Sequence, residues 1–283
     1  MRFSESVRRL LPKAELDRAE GAYQRVRAFR VQVVSRGDLS SVPLAYALPY
    51  RTKCVFQAGL HRTLQLADAT SSELDASRFV PSFLLARGCL ETGCLMYDII
   101  LRVLAVIETP TEAGLLELAK HLERVAWGAK APRVLEQIVE PGEDPADSSA
   151  VNIVTVIGRV ARHHPQVQEL YEHLSEFAHP NSAGMLGTFS HLDDNPNEFR
   201  FIDPWSDSSR TDALVYPVAG VGIGLTLTAK SNEILELRLE DFVRVTEQDL
   251  HNRGLWPPNA PYRWTASSGS PETADVPGKG GDA

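Results

Sequence analysis

Cysteine is scarce, with three residues in 283 (Cys54, Cys89 and Cys94). A count that low and odd excludes a disulfide framework and points to a reducing compartment, the cytoplasm. Positive charge is also short. Twenty-nine basic residues stand against 37 acidic ones, for a net charge of −8, which excludes a globally electropositive nucleic-acid binder but leaves room for a local basic groove. Only six of the basic residues are lysine, the skew that a GC-rich genome imposes rather than a binding patch. The N-terminal stretch MRFSESVRRLLPKAELDRAE has no apolar core of about 7–15 residues, so it does not read as a signal peptide. The longest apolar run, Ala213 to Ala229, is about 17 residues against the roughly 20 that a membrane span needs, so it reads as a buried core helix and no membrane partner is expected. No internal repeat is visible.

What the sequence does have is helical periodicity over most of its length. Apolar residues make up 43% and charged residues 23%, an ordinary globular balance. Residues 1–32 read as a charged helix that Pro12 splits, followed by a Gly- and Pro-bearing connection. Helical patterns recur at Thr52 to about Thr70, Arg78–Glu108, Glu112–Trp127, Pro132–Val139, Val151–Arg162, Gln166–Ala178 and 211–245. ATSSELDAS (69–77) reads as a loop or helix junction, and Ser148 or Ser149 as the cap of the helix that begins at Val151. Residues 187–203 read as a small β-hairpin around Asp193-Asp194-Asn195-Pro196-Asn197. The expected fold is mainly α, a helical bundle with one small hairpin. It divides into an N-terminal helical arm and connection (1–50), a bundle domain (51–264) and a Gly/Ser/Pro-rich disordered tail (265–283).

The helix from Arg78 to Glu108 is unusual. At about 100° per residue, with Arg87 at zero, Glu91 falls at about 40°, Asp98 at about 20° and Arg102 at about 60°. Four charged side chains of both signs thus share one narrow stripe on an otherwise apolar helix, and Cys94 sits at its edge. Such a stripe is either a thin solvent-facing edge with Arg87–Glu91 and Asp98–Arg102 pairs at i,i+4, or one wall of a cleft between helices.

The second informative segment is Tyr171-Glu172-His173-Leu174-Ser175-Glu176-Phe177-Ala178-His179-Pro180-Asn181. Val167, Leu170, Leu174 and Phe177 form its buried stripe, while Tyr171, Ser175 and His179 follow at i,i+4 along its flank and are positioned to line one groove with Asn181. Pro180 disfavours helical geometry at His179 and so places the imidazole at the helix C-terminus. There the macrodipole favours imidazolium, which suits a cation, a hydrogen-bond donor or a general acid. The competing reading is a histidine that only caps the last carbonyls.

FLLARGCLETGCLMYDII (83–100) followed by YEHLSEFAHPNSAG (171–184), with CVFQAGLHRTLQLADA (54–69) ahead of them, resembles a group of bacterial helical proteins related to the HEPN superfamily. That group carries an Arg…Glu helix, matched here by Arg87 and Glu91, and a later Leu-Ser-x-x-x-His-Pro element, matched by Leu174, Ser175, His179 and Pro180. The resemblance covers about residues 52–184. It implies a helical bundle, a homodimer, and binding of RNA or a nucleotide in a stress or phage-defence role. HEPN ribonucleases build their site on an Arg followed four to six residues later by a His. This chain departs from that pattern, with Leu174 where the Arg is expected, which favours non-catalytic readings. An atypical metal-independent ribonuclease would use Arg87, Glu91 and His179 as its catalytic set, with Asp98, Arg102, Tyr171, Ser175 and Asn181 binding. A dimerisation or scaffold module is the third reading.

No cofactor and no metal are expected. His191, Asp193 and Asp194 are ligand types, but they sit in a hairpin turn without spaced partners. Arg159 and His164 match the ribonuclease spacing literally, in a context that reads as chance. Cys89 and Cys94 read as small core residues. Gly220, Gly222 and Gly224 follow no strand and lack a Lys-Ser/Thr ending, so they do not read as a phosphate loop. Because residues 265–283 lack any apolar run able to offset ordering entropy, a chain ending at Trp264 is expected to melt at the temperature of the full chain. A drop of several degrees in a thermal melt would show that the tail docks.

Overall fold

The computed structural model describes residues 1–35, 47–129, 149–181, 183–192, 199–206 and 212–256. The helix expected at Pro132–Val139, most of the loop at 141–150, the hairpin turn and the tail lie outside them. Among the described residues there are nine α-helices and one two-stranded hairpin.

The N-terminal helix breaks where proline requires it. α1 (Glu5–Leu10) is capped by Ser4, whose hydroxyl accepts from Val7 N–H, and α2 (Lys13–Phe29) restarts directly after Pro12. Both pack inward: Phe3, Val7, Leu16, Ala19, Tyr23 and Val26 belong to the same apolar core as the later helices. α3 (Leu48–Asp75) runs past the expected junction at ATSSELDAS. Leu74 is buried in the core there, and the hydroxyls that make this stretch look loop-like are used within the fold. Thr70 Oγ1 donates to Leu66 O at 2.8 Å, and Ser71 Oγ donates to Arg2 O at 3.1 Å. The turn comes only at Ser77, which takes a left-handed conformation (φ 58°).

α4 (Phe79–Glu108) is the central helix, stopped at Thr109-Pro110 as expected. α5 (Glu112–Ala126) is capped by Thr111, and α6 (Ile153–Ala161) by Asn152 rather than a serine. Asn152 Oδ1 accepts from Val154 N–H at 3.0 Å, which satisfies one of the free donors at the start of the helix. α7 (Gln166–Ala178) follows, then the single turn α8 (Leu186–Phe189), which leads into the antiparallel strands β1 (Ser190–Leu192) and β2 (Phe199–Phe201) with His191 opposite Arg200. α9 (Val215–Asn252) closes the described chain. Among the described residues it is the helix long and apolar enough to cross a membrane, but 61% of its apolar window is buried against other helices, as a core helix would be.

α3 and α9 cover two faces of α4. α4 and α9 run in the same direction and approach closely through glycine: a Cβ at Gly93 would stand 2.3 Å from Gly224 O, and one at Gly224 would stand 2.6 Å from Cys89 O. Gly224 therefore serves helix packing, as does Gly220, whose Cβ would lie 2.8 Å from Leu174 Cδ1, whereas Gly222 faces Ala19 of α2 at an ordinary 3.6 Å. Gly93→Ala should cost about 1–3 kcal/mol or more, because backbone meets backbone and neither helix can give way locally. By contrast, a Cβ at Gly88 meets only Leu66 methyls at 3.6 Å. Gly88→Ala should be neutral or gain up to about 1 kcal/mol from helix propensity. Urea unfolding of the two variants measures the difference.

Candidate functional site

With α3 and α9 occupying two sides of α4, its charged stripe falls against α5, α6 and α7. The four charges separate into two centres. At the first, α4 meets α7. Phe177 packs against Phe79 and Phe83, with ring centroids 5.6 and 4.5 Å apart, which anchors the end of α7 on the start of α4. Six residues back along α7, nearly two turns, Tyr171 reaches Arg87. Arg87 Nη2 donates to the Tyr171 hydroxyl at 2.9 Å, and the guanidinium carbon lies 5.0 Å from the Tyr171 ring centroid, within cation–π range. Arg87 Nε donates to Glu91 Oε1 at 2.9 Å. The remaining edge, Nη1, points to His179 Nε2 at 3.4 Å. Arg87 and Glu91 are half-buried, at 21% and 24% side-chain exposure, whereas His179 is exposed. The thin solvent edge is thus excluded for this pair, and so is a fully buried one.

His179 is held by the turn that ends α7. Its own N–H closes the last helical bond, to Ser175 O at 3.0 Å, and its backbone is already extended (φ −89°, ψ 148°), as a following proline demands. Asn181 shapes the turn rather than the groove: its Oδ1 accepts from Gly184 N–H at 2.9 Å, and its Nδ2 donates to Glu176 at 2.8 Å. Gly184 packs so tightly that a Cβ there would lie 1.9 Å from His179 O. Ser175 also turns away, donating to Tyr171 O at 2.7 Å. Of the three polar side chains spaced along α7, Tyr171 and His179 reach Arg87 and Ser175 does not. Because a guanidinium can only donate, Nε2 is the acceptor in this arrangement, the reverse of the donor role that the helix dipole alone suggests. An anion placed between Arg87 and His179 would let both donate.

The second centre is built on Asp98, which is buried (3% exposed). Arg159 of α6 grips it with two bonds, Nε to Oδ1 at 2.6 Å and Nη2 to Oδ2 at 2.9 Å. Arg102 donates from Nε to Oδ2 at 3.1 Å. His121 of α5, itself buried, holds Nε2 at 3.4 Å from Oδ2, an ion-pair distance without hydrogen-bond alignment. Burial alone would push the Asp98 carboxyl up. The imidazole of His121 and the guanidiniums of Arg159 and Arg102 outweigh that and hold it well below the usual carboxylate range.

Arg159 and His121 were not identifiable as partners from spacing, because they come from other helices and meet Asp98 only in space. The Arg159…His164 spacing does not form a pair: Arg159 turns to Asp98, while the His164 ring lies 5.0 Å from the Tyr97 ring, with Lys230 Nζ 5.6 Å over the same tyrosine. Burial, Lys230 and His163 together lower the His164 pKa. Cys89 and Cys94 are buried, and burial pushes the Cys89 thiol up to about 12, so neither is a nucleophile at neutral pH. Comparison with family models, with curated proteins and with solved structures finds no match.

Replacing Asp98 by Asn should cost about 3–5 kcal/mol in urea unfolding, because it leaves two guanidiniums facing a neutral amide in a largely buried site. The pH dependence has a definite sign. The folded carboxyl titrates below its unfolded value of about 3.9, so its contribution is complete above that value and is lost as pH falls toward the depressed one. Wild-type stability should therefore decline below about pH 4, and Asp98→Asn should show a shallower acid slope, measured by urea midpoints between about pH 2 and 6.

Proposed function

We propose that the protein binds a phosphate-bearing ligand, RNA or a nucleotide, at the Arg87–Tyr171–His179 centre, as a HEPN-like helical protein of the cytoplasm. The observation that carries this reading is the arrangement of Arg87. Glu91 and Tyr171 fix the guanidinium on two sides, so its third edge is presented beside an exposed imidazole at little further entropic cost. A planar donor fork beside a histidine recognises phosphate oxygens, and an aromatic ring at the same point adds a surface against which a base can stack. His179 is exposed and Arg87 half-buried, so the centre faces solvent. The described grooves of about 490 Å³ (between α3, α4 and Trp127) and about 280 Å³ (between α3, α5 and α9) are lined by neither Arg87 nor His179. An open site favours a ligand that lies across the surface over a small apolar substrate.

A second reading, metal-independent cleavage of RNA, draws support from the 3.4 Å between Arg87 and His179. Arg87 then stands in for the arginine missing at Leu174. The ribose 2′-hydroxyl would attack the adjacent phosphorus and give its proton to water, the P–O5′ bond would break as His179 gives a proton to the leaving oxygen, Arg87 would stabilise charge on the phosphate, and Glu91 would orient Arg87.

Fluorescence anisotropy with a labelled single-stranded oligoribonucleotide, in EDTA, tests both. Saturable binding that weakens about tenfold or more in Arg87→Gln and in His179→Ala is the expected result, with the oligonucleotide intact on a gel. Cleavage that disappears in His179→Ala selects the second reading. Wild-type binding that both variants retain in full rejects this centre, and absence of binding by the wild type to RNA and to nucleotides rejects the proposal.

A further inference from the structure

The geometry points to a second, separate oxyanion site, in which Arg102 and Arg159, pinned by Asp98, take a phosphate group on their outward faces. This inference does not rest on the Arg87 reading. Arg102 lies fifteen positions beyond Arg87 on α4, about 22 Å along the helix axis, so one small anion cannot touch both centres.

Three features build the site. The first is charge: two guanidiniums meet one carboxylate, which leaves one positive charge uncompensated, and neither arginine has another ion-pair partner among the described residues. The second is orientation. Both arginines bond the same oxygen, Oδ2 of Asp98, so their planes converge within a few ångströms of one another. Asp98 engages Arg102 through Nε alone and Arg159 through Nε and Nη2. That leaves both Nη groups of Arg102 and the Nη1 of Arg159 as donors, on side chains 33% and 31% exposed. A buried carboxylate holding two arginines from different helices is thus a preorganised double fork, and most of the rotamer entropy of both side chains is already lost before any ligand arrives. The third feature is a further polar group on the same oxygen: His121 Nε2, buried in a residue 6% exposed, stands 3.4 Å from Oδ2 without hydrogen-bond alignment.

Room for the ligand exists beside Arg102. A groove of about 340 Å³ between α4 and α5 is lined by Arg102, Ala105, Val106, Thr109, Gly114, Glu117 and Leu118. Glu117 is the carboxylate that borders this groove, and it makes no ion pair with Arg102. It sets the polarity of the groove: the anionic head is drawn to the Arg102 end, where Arg159 shares the Asp98 oxygen, and Glu117 repels a second negative group. A phosphate monoester or inorganic phosphate fits this asymmetry better than a polyphosphate.

Isothermal titration of the full chain with inorganic phosphate, at ionic strength held constant with sodium chloride, tests the proposal. The wild type is expected to give a saturable isotherm. Arg102→Gln, which leaves Arg159 on Asp98 and so spares the helix contact, should weaken it about tenfold or more. Arg102→Lys, which keeps the charge but loses the fork, should weaken it less. Arg159→Gln should abolish it, with thermal melting reporting whether the fold survives. A wild-type titration without saturable heat overturns the proposal, as does an isotherm unchanged in Arg102→Gln. If the heat is retained in Arg102→Gln and lost in Arg87→Gln, the phosphate belongs to the first centre. That result overturns this site and leaves the proposed function standing.

Discussion

The close approach of α4 and α9 at Gly93 and Gly224 governs the arrangement of the other helices. Without side chains at these positions the two backbones come within contact distance, and their neighbours Ala86, Cys89 and Leu90 are buried completely. The apolar residues of a surface helix need one partner; those of α4 cover most of its circumference and need several. α9 takes one face, α3 a second, and Met96 packs over Gly59 at the α3 contact. What remains of α4 is the strip carrying Arg87, Glu91, Asp98 and Arg102, and the fold has to cover it with polar partners.

It does so unevenly, and the difference has physical consequences. At the Asp98 end, three helices contribute a guanidinium or an imidazole to one carboxylate, which is almost wholly removed from water. Such a network gives modest net stability relative to an apolar core but penalises every arrangement that leaves the carboxylate unpaired, so it fixes how α5 and α6 sit on α4. At the Arg87 end the pair is half-exposed and its partners are a phenol and an imidazole. Little is gained there in stability, and one donor edge faces the solvent side. Glu91 matches the charge of Arg87, and what is left over is a donor edge, Nη1, beside the imidazole of His179.

The turn after α7 shows how a short motif acquires its role. Pro180 releases His179 from the helix, Asn181 closes the turn onto Gly184, and Gly184 packs against the His179 carbonyl. The imidazole is therefore placed by the three residues that follow it most closely in the fold. Two of them, Asn181 and Gly184, contribute no chemistry of their own.

The sequence alone determined the helical class, the break at Pro12, the stop at Thr109-Pro110, the extent of α7 and the narrowness of the charged stripe on α4, because these follow from local sterics and from a 3.6-residue period. It also paired Arg87 with Glu91 and Asp98 with Arg102, which are neighbours on one helix turn. Tertiary structure alone decided the rest. ATSSELDAS reads as a junction by composition yet continues α3, because Leu74 gains burial in the core and the hydroxyls of Thr70 and Ser71 find backbone carbonyls. Arg159 and His121 carry no local mark of their partner, since Asp98 lies 61 and 23 positions away and the interaction exists only once α5 and α6 have docked. Ser175, equal to Tyr171 and His179 by spacing, is removed from the groove by a bond to its own helix. Spacing states which side chains share a face; only the packed neighbours state what that face meets.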